Sequence, residues 1–364
     1  MFKLIKITNG LRQGRLKTNH GELKTPFFMP DATRGYIKLL SPQDLKSTGT
    51  KALVVNTFHL YLQPGIKIIK AAGGIHKFMN YNGPLLSDSG GFQVFSLIHK
   101  NKKLGEINDD RVTFRSPLNG SLHELSPEKS IQIQFDLGVD MMVCLDDCPP
   151  NDFSRVDLEL AVKRTINWAK RSKIEYLKQL KKRKISPTKR PLLFSVIQGG
   201  AELDLRTYCA KELVKLGFDG YGFGARPVDN KGNFLEEVLR VTANLIPKDS
   251  LRFALGVGTP EDIKRCAHLG WDMFDCVIPT REGRHGRLFF FSSQGYKTIN
   301  INNAKFANDF SPLNKLSKIV ELNNHSHAFL HHLFRLKEAL GQRLASLNNL
   351  EFYQTFIKNL CIRK

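Results

Sequence analysis

The sequence lacks several features that would mark other classes of protein. Its six cysteines form no C-x-x-C pair, so their spacing predicts neither a disulfide framework nor a cysteine-based metal motif. No apolar stretch approaches the roughly 20 residues that a membrane-spanning helix needs. Residues 1–6 contain no apolar core and no small-residue cleavage site of the kind found in signal peptides. We therefore expect a cytoplasmic protein with reduced thiols and no membrane partner.

Acidic residues are also few in comparison with basic ones. The chain contains 34 Asp and Glu against 55 Lys and Arg, which gives a formal net charge of +21. A positive field of this size attracts phosphate-bearing partners, so we expect nucleic acid ahead of a membrane surface. The alternative is a lysine-rich composition in which many of these charges are simply solvated.

What the sequence does contain is a series of short apolar runs, most of which end in polar residues or glycine. Eight such runs occupy residues 27–30, 53–56, 85–88, 141–146, 192–198, 220–224, 252–256 and 273–277. Continuous apolar runs of this length predict strands buried on both faces, as in a parallel sheet. Between them, hydroxyl–proline pairs such as Ser126-Pro127 and Thr259-Pro260 predict the starts of helices.

This alternation predicts an α/β fold, with a (β/α)8 TIM barrel over residues 1–286 whose active site lies at the carboxyl ends of the strands. An open doubly wound sheet is the alternative, and the count of eight strands disfavours it. Residues 100–125 predict a β-hairpin inserted into the barrel. Residues 287–364 predict an appended C-terminal subdomain, in which a few strands are followed by helices packed on the barrel.

Two aspartates, Asp88 and Asp275, stand at the polar ends of predicted strands. A carboxylate at the end of a buried strand is costly to hold, so it usually has a chemical task. Other polar or small residues occupy equivalent strand ends, namely Asn56, Asp146, Gln198 and Gly224. On a strongly basic protein, the two aspartates suggest acid/base and nucleophilic work on a polyanionic substrate.

Five motifs follow one another along the chain. They are Asp88-Ser89-Gly90-Gly91-Phe92-Gln93, Asp146-Asp147-Cys148, Val196-Ile197-Gln198-Gly199-Gly200, residues 256–262, and Phe274-Asp275-Cys276-Val277-Ile278-Pro279-Thr280-Arg281 with the nearby Arg284. In this order and at these spacings the chain resembles the tRNA-guanine transglycosylases (queuine tRNA-ribosyltransferases) from about residue 14 to the terminal helices. The first and last motifs are highly specific to that family.

The resemblance implies exchange of guanine at the wobble position of tRNA for a 7-deazaguanine base, without cleavage of the phosphate backbone. The exchange would pass through a covalent ribosyl-enzyme comparable to that of a retaining glycosidase. Asp275 matches the nucleophile that attacks the ribose anomeric carbon. Asp88 matches the general acid/base, a role that requires burial or neighbouring acids to raise its pKa.

The resemblance also implies two sets of binding residues. Asp146 and Gln198 match residues that hydrogen-bond the guanine edge, and Phe92 matches the aromatic residue that stacks on the base. The remaining base-binding positions are Ser89, Gly90, Gly91, Cys148, Gly224, Ala225 and Leu255. The positions that match RNA-contacting residues are Gly256, Val257, Gly258, Thr259, Thr280, Arg281 and Arg284. The implied partners are the tRNA anticodon loop and a free guanine or 7-deazaguanine base, and the family commonly forms homodimers.

The chain departs from the family at a structural zinc site. The family carries C-x-C-x-x-C and a later histidine in its C-terminal part, and the corresponding positions here hold Ser317, Ile319, Leu322 and Asn348. None of these supplies a thiolate or an imidazole, so we expect no metal at this site and no other cofactor. Apolar packing of Ile319 and Leu322 is the expected replacement.

A second departure lies in the implied base pocket. Where the family reads G-G-L, one variable residue and V-G-E, residues 224–230 read Gly-Ala-Arg-Pro-Val-Asp-Asn. Arg226 and Pro227 replace the peptide that faces the 7-substituent, and Pro227 has no N–H to donate. Asn230 replaces the acid that supports a cationic aminomethyl group. We therefore expect an uncharged or different 7-substituent on the incoming base.

Three alternatives remain open from the sequence. The first is a paralogue that inserts a deazapurine into DNA or another RNA, which the basic charge fits equally well. The second is a non-catalytic tRNA-binding subunit, although an idle pair of buried aspartates would cost stability. The third is a barrel enzyme of unrelated chemistry, which would require the order of the motifs to arise by chance.

Overall fold

The computed structural model describes residues 1–149, 153–229 and 231–362. The strands, in chain order, are β1 (Phe2–Thr8), β2 (Leu11–Thr18), β3 (Gly21–Lys24), β4 (Phe27–Pro30), β5 (Leu53–Asn56), β6 (Leu85–Asp88), β7 (Gly105–Ile107), β8 (Val112–Arg115), β9 (Leu122–Leu125), β10 (Met141–Val143), β11 (Leu192–Ile197), β12 (Gly220–Phe223), β13 (Leu251–Ala254), β14 (Met273–Cys276), β15 (Arg287–Ser292) and β16 (Gly295–Asn300).

The helices are α1 (Pro42–Ser47), α2 (Thr57–Leu62), α3 (Ile66–Ala71), α4 (Ile75–Met79), α5 (Gly91–Lys100), α6 (Pro127–Leu137), α7 (Arg155–Lys182), α8 (Leu203–Leu216), α9 (Glu236–Leu245), α10 (Pro260–His268), α11 (Ile278–Arg284), α12 (Val320–Asn324), α13 (His327–Arg335) and α14 (Ala339–Leu360). Two short 3-10 turns lie at Lys102–Leu104 and Ala304–Phe306. No helix in the described part of the chain has the length and apolar character to cross a bilayer.

Eight parallel strands form the central sheet, in the order β4-β14-β13-β12-β11-β10-β6-β5. Its two ends meet, because Ala32 N donates to Val54 O at 2.7 Å and Asn56 N donates to Thr33 O at 3.0 Å. The sheet is therefore a nearly closed barrel rather than an open doubly wound sheet. All eight predicted strands and the predicted TIM-barrel fold are confirmed, since each apolar run forms one barrel strand.

One buried cluster fills the space inside the barrel strands. It contains alternate residues of seven strands, including Met29, Val54, Leu86, Phe194, Val196, Phe253 and Met273. Side chains alternate between the two faces of a strand, so these positions mark the inward face. The eighth strand, β12, has glycine at its inward position Gly222, where a Cβ atom would lie 2.4 Å from Leu255.

Two antiparallel sheets accompany the barrel. The strands β1, β2 and β3 form a sheet before the barrel that the sequence analysis did not predict. Lysines interrupt the apolar residues of β1, so this strand is not a continuous apolar run of the kind that marked the barrel strands. The predicted insertion is confirmed as the hairpin β8–β9, to which β7 adds a third strand.

The C-terminal segment has the predicted order, a β15–β16 hairpin followed by α12, α13 and α14. The long helix α14 packs on the barrel, where Tyr353 Oη donates to Gly258 O at 2.8 Å and Gln354 Nε2 donates to Phe28 O at 3.3 Å. The division of the chain into domains at residue 286 remains a prediction.

The four positions that match the family's zinc ligands lie in a hydrogen-bonded and apolar cluster. Ser317 Oγ donates to a carboxylate oxygen of Glu351 at 2.5 Å, and the other oxygen accepts from Lys318 N at 2.8 Å. Asn348 Oδ1 accepts from Asn314 Nδ2 at 2.9 Å. Ile319 and Leu322 are buried. A serine, two aliphatic residues and an asparagine do not fit a tetrahedral zinc ion, which takes thiolate and imidazole ligands.

Candidate active site

The inward face of the barrel continues into a set of polar side chains at the carboxyl ends of the strands. On seven of the barrel strands, the residue two positions after an inward-facing residue faces the same side. These residues are Asp31, Asn56, Asp88, Gln198, Gly224, Leu255 and Asp275. By the alternation of side chains, these residues share one rim. The order of the strands sets Asp88, Asn56, Asp31 and Asp275 on four successive strands, β6, β5, β4 and β14.

Asp88 is held by three hydrogen-bond donors. Asn56 Nδ2 donates to one carboxylate oxygen at 2.6 Å, and the N–H groups of Thr57 and Gly90 donate to the other at 3.2 and 3.1 Å. Asn56 is itself fixed, because His59 N donates to its Oδ1 at 3.0 Å. Burial, with the charges of Asp31 and Asp275, raises the pKa of Asp88 to about 8. Asp88 therefore holds a proton near neutral pH.

Asp275 stands at the end of β14 and accepts a hydrogen bond from Gly256 N at 2.9 Å. Burial raises the pKa of Asp275 to about 7, with a further contribution from the charge of Asp31, while the Gly256 hydrogen bond opposes this rise. Burial thus raises the pKa values of both aspartates toward neutrality. Two acids in such a site can divide the roles of nucleophile and proton donor when one is ionised and the other holds a proton.

Asp31 is a third carboxylate on this rim, and the sequence analysis missed it. Its Oδ1 accepts from both the N–H and the hydroxyl of Thr33 at 2.7 Å, and burial raises its pKa. The residue directly follows Pro30, the last residue of β4. The signal that could have revealed it is its position, since it stands at the polar end of the first apolar run just as Asp88 does at the third.

Asp146 and Gln198 are in contact, as their predicted common role requires. Gln198 Nε2 donates to Asp146 Oδ2 at 2.7 Å, and both side chains are buried. Burial, with the charge of Asp147, raises the pKa of Asp146 to about 6. Gln198 Oε1 is buried without a hydrogen-bond partner. A buried acceptor of this kind is costly unless a ligand satisfies it.

Glycines pack closely against Gln198 and Asp146 and leave little room for a side chain. A Cβ atom on Gly224 would lie 2.4 Å from the Gln198 side chain, and one on Gly91 would lie 3.2 Å from Asp146 O. Gly90 has a positive φ of 79°, and its Cβ atom would lie 2.9 Å from Phe58 N. Ser89 is buried, and its carbonyl accepts from Ser130 Oγ at 2.9 Å.

Among the other predicted base-binding residues, Cys148 lies beside Gln198 and Ala225. Cys148 is partly buried and interacts with the Gln198 side chain and with the backbone of Ala225, while burial raises its pKa to about 12. Leu255 packs against the inward core cluster. Phe92, near the start of α5, is 58% exposed, so its ring is available to a ligand. Ala225 has a positive φ of 94°, which is rare for a residue other than glycine. Asn230 lies outside the described residues.

The residues predicted to contact RNA fall into two groups. In the loop after β13, Gly256 binds Asp275, Val257 is fully buried, Gly258 accepts from Tyr353, and Thr259 caps α10. On α11, Thr280 is buried, Arg281 is about half exposed, and Arg284 is partly buried. Burial and the charge of Arg281 lower the pKa of Arg284.

A cavity of about 290 Å³ lies between α11 and Asp31. Its lining includes Asp31, Arg34, Lys38, His59, Thr280 and Arg284. The cationic side chains line this cavity beside the Asp31 carboxylate, an arrangement that suits a phosphate-bearing chain. Arg34 and Lys38 were not predicted from the sequence, because nothing distinguishes them from the other basic residues in a chain with 55 of them.

A group of three residues at the other end of the barrel could offer metal ligands, namely His20, His76 and Asp140. His20 Nδ1 lies 2.9 Å from Asp140 Oδ1, and His76 Nε2 lies 3.3 Å from Asp140 Oδ2, which also accepts from Leu85 N at 3.0 Å. The two imidazole rings stack at 3.6 Å. These three residues already bind one another and Leu85 N. We therefore interpret the cluster as a hydrogen-bonded connection between β6, β10 and the N-terminal sheet.

Comparison with known proteins shows the family to which the chain belongs. Residues 8–363 match the family model described as "Queuine tRNA-ribosyltransferase". The chain is 40% identical over 359 residues to a queuine tRNA-ribosyltransferase of Aliivibrio fischeri (strain MJ11), covering 99% of this chain and 92% of that protein. It is 42% identical over 355 residues to one of Staphylococcus aureus (strain bovine RF122 / ET3-1), covering 97% and 88%, respectively. The chain belongs to the queuine tRNA-ribosyltransferase family.

Proposed function

We propose that this protein exchanges guanine at the wobble position of tRNA for a 7-deazaguanine base, through a covalent bond between Asp275 and the ribose. The observation that carries this proposal is the pair of carboxylates on one rim. Asp88 has its pKa raised to about 8 and Asp275 to about 7. Near neutral pH the first can hold a proton while the second gives up its own, which is what a double displacement at a glycosidic carbon requires.

In the first displacement, a carboxylate oxygen of Asp275 attacks the anomeric carbon C1′ of the target ribose. The C1′–N9 bond breaks as the C1′–O bond forms, and the bonding electrons leave with the guanine. Asp88 delivers its proton to the departing base, so the base leaves neutral and Asp88 becomes a carboxylate. Asn56 and the two backbone N–H groups that bind Asp88 then stabilise this negative charge.

The second displacement reverses these steps with a new base. Asp88 accepts the N9 proton of the incoming base, whose N9 attacks C1′ and expels the Asp275 carboxylate. The proton count is the same before and after the exchange, and the phosphate backbone is never cut. Gly256 N–H binds the Asp275 carboxylate at 2.9 Å and stabilises it as it is released.

The base would lie against Asp146 and Gln198. Guanine presents two neighbouring N–H donors on its Watson–Crick edge, and the Asp146 carboxylate and the unpartnered Gln198 Oε1 are acceptors. Ala225 N–H can donate to the carbonyl of the base, and Phe92 can stack on its ring. These side chains would read guanine and 7-deazaguanine equally, because the two share that edge.

The nature of the 7-substituent is part of this proposal. Arg226 and Pro227 stand where the family has a peptide facing the substituent, and Asn230 replaces the supporting acid. We expect weaker use of 7-aminomethyl-7-deazaguanine than of a 7-deazaguanine without a cationic substituent. Competition between these two bases for incorporation measures the preference.

The RNA partner would be the anticodon loop of tRNA, with its phosphates at Arg281, Arg284 and the nearby cations of the cavity. The net charge of +21 supports a polyanionic partner. A homodimer and a cytoplasmic location belong to the same proposal. So does the absence of zinc, because the cluster around Ser317 and Glu351 provides hydrogen bonds where the family has metal ligands.

The test is incorporation of labelled guanine into unmodified tRNA with a G-U-N anticodon, compared with a DNA of the same stem-loop sequence. We expect incorporation into the tRNA alone, and none by an Asp275→Ala variant. Incorporation into DNA alone would establish the DNA-modifying alternative and refute the tRNA proposal. Binding of tRNA without any incorporation would establish the non-catalytic alternative.

A further inference from the structure

Arg206 is a buried cation directly behind the base pocket. It lies on α8 and is fully buried. Its guanidinium donates to three backbone carbonyls, those of Gly200 at 2.7 Å, Ile197 at 3.1 Å and Gly224 at 2.7 Å. It also lies over the Phe223 ring, 4.0 Å from the ring centroid. Within the described residues, no carboxylate forms an ion pair with it.

Burying a cation without a carboxylate partner is costly. Burial lowers the pKa of Arg206 to about 9, although the charge stays on the guanidinium at neutral pH. A buried aliphatic residue could fill the same space without this cost. The three carbonyls and the Phe223 ring compensate the charge, and the carbonyls fix the direction of the guanidinium.

Two of these carbonyls belong to the peptides that precede pocket residues. The Gly224 carbonyl is part of the same peptide group as Ala225 N–H, which interacts with the Cys148 thiol. The Ile197 carbonyl is part of the same peptide group as Gln198 N–H and also accepts from Gly224 N at 2.9 Å. One guanidinium thus fixes the peptides that lead into both Gln198 and Ala225.

The Ala225 backbone needs such support. Its φ of 94° lies in a region that residues with a Cβ atom rarely adopt. A conformation of this kind persists only where the surrounding structure holds it in place. The hydrogen bond from Arg206 to the Gly224 carbonyl fixes the orientation of that peptide and hence the direction of Ala225 N–H.

We propose that Arg206 is a positioning residue that orients and polarises the Gly224–Ala225 peptide, so that Ala225 N–H binds the carbonyl oxygen of the base. This inference rests on the proposed function. A cation that binds the carbonyl side of a peptide draws electron density from it and makes its N–H a stronger donor. A fixed and polarised N–H needs no reorganisation when the base binds.

Two variants of Arg206 and one matched control test the proposal. Arg206→Lys keeps a cation but cannot reach all three carbonyls, and Arg206→Met removes the charge while keeping most of the volume. Arg252 is the control, because it is also buried and donates to backbone carbonyls, those of Ile246 at 3.1 Å and Gly270 at 3.5 Å. It lies at the opposite end of the barrel, near the start of β13. Thermal unfolding of all three variants establishes which of them fold.

The measurement is competition of guanine and 2-aminopurine, which lacks both the carbonyl oxygen and the N1–H, against labelled guanine in the exchange assay. The missing N1–H is common to all the proteins compared, so a difference in preference between them reports the contact to the carbonyl oxygen. The wild type should bind guanine more tightly than 2-aminopurine. In Arg206→Lys the ratio of the two affinities should fall by about tenfold, which is the effect of one weakened hydrogen bond. The KM for tRNA should change less than about twofold, since the tRNA body lies outside this contact. Arg252→Met should keep the full preference even if its Tm falls.

An unchanged preference for guanine in folded Arg206→Lys would overturn the inference, as would an equal loss of preference in Arg252→Met. If Arg206→Met does not fold, the lysine variant still decides the question. A wild-type protein that exchanges no guanine would refute the proposed function instead, so the two failures are distinguishable.

Discussion

Asp31 and Asp275 stand at the carboxyl ends of the neighbouring strands β4 and β14, and the charge of Asp31 contributes to the raised pKa of Asp275. The same charge contributes to the raised pKa of Asp88. Both catalytic candidates are therefore adjusted by one acid that takes no direct part in the proposed displacements. Like charges in a poorly solvated site disfavour each other's ionised forms.

This relationship predicts the pH dependence of exchange. The value of kcat/KM should rise as Asp275 loses its proton near pH 7 and fall as Asp88 loses its proton near pH 8. Asp31→Asn removes a negative charge, which lowers the pKa of both groups, so both limbs of the profile should move to lower pH. A pH–rate profile of the two proteins checks this, and a profile that stays in place would contradict the coupling.

Asp275→Asn should abolish exchange, with a loss of about 10⁴-fold or more. It should also stabilise the fold at high pH. The folded-state pKa of Asp275 lies above its ordinary value, so the wild type loses stability as the pH rises from about 4 to about 7. The neutral amide can still accept from Gly256 N and avoids this loss. Thermal unfolding should show a higher Tm for the variant at pH 8 and equal values at pH 4. A Tm difference that does not depend on pH would exclude this explanation.

Gly224→Ala should weaken binding of the base. The added methyl would lie 2.4 Å from the Gln198 side chain, so that side chain must move away from its contact with Asp146. We expect a rise in KM for guanine of about tenfold or more, as for overpacking of a closed site. Ala225→Gly is the control next to it, and it should keep the KM within about twofold because glycine adopts positive φ freely. Equal effects of the two substitutions would contradict this account of the pocket.

Arg284→Ala should weaken binding of tRNA and leave binding of the free base unchanged. Arg284 lines the cavity beside Asp31, and its side chain carries one of the cations that would neutralise phosphates. Loss of one phosphate contact should reduce the slope of log K against log salt by about 1. Titration of tRNA at several salt concentrations measures the slope. An unchanged slope would place the phosphates elsewhere.

The C-terminal cluster should be independent of metal. Dialysis against a chelator should leave the Tm unchanged, because Ser317, Ile319, Leu322 and Asn348 offer no zinc ligand set. Leu322→Ala should instead lower the free energy of unfolding by about 2–5 kcal/mol, since the side chain is fully buried. Stoichiometric zinc in the purified protein, or unfolding by the chelator, would disprove the proposal.

The barrel could be predicted from the sequence because each of its strands is a continuous apolar run, and such runs have few other structural explanations. The N-terminal sheet could not, because lysines interrupt the apolar residues of β1, and β2 and β3 contain few apolar residues. The third strand of the insertion, β7, has three residues and no apolar signal of its own.

Asp88, Gln198 and Asp275 could be chosen as candidate site residues from the sequence, because each closes an apolar run within a recognisable motif. The contacts of Arg206 could not be predicted in this way. This residue lies in the middle of the sequence of α8, and only the fold brings its guanidinium to the carbonyls of two other segments. Contacts of a side chain with distant backbone leave no pattern in the residues around it.

The claim that Asp275 forms a covalent bond with the ribose can be tested most directly by trapping the intermediate. Wild-type protein is incubated with tRNA in the absence of free base, quenched in denaturant and separated on a denaturing gel. We predict a protein–RNA adduct with Asp275 joined to the ribose of the wobble nucleotide, and no adduct with Asp275→Asn. An adduct that persists in that variant, or exchange by the wild type through a reaction with no trapped adduct, would contradict the account.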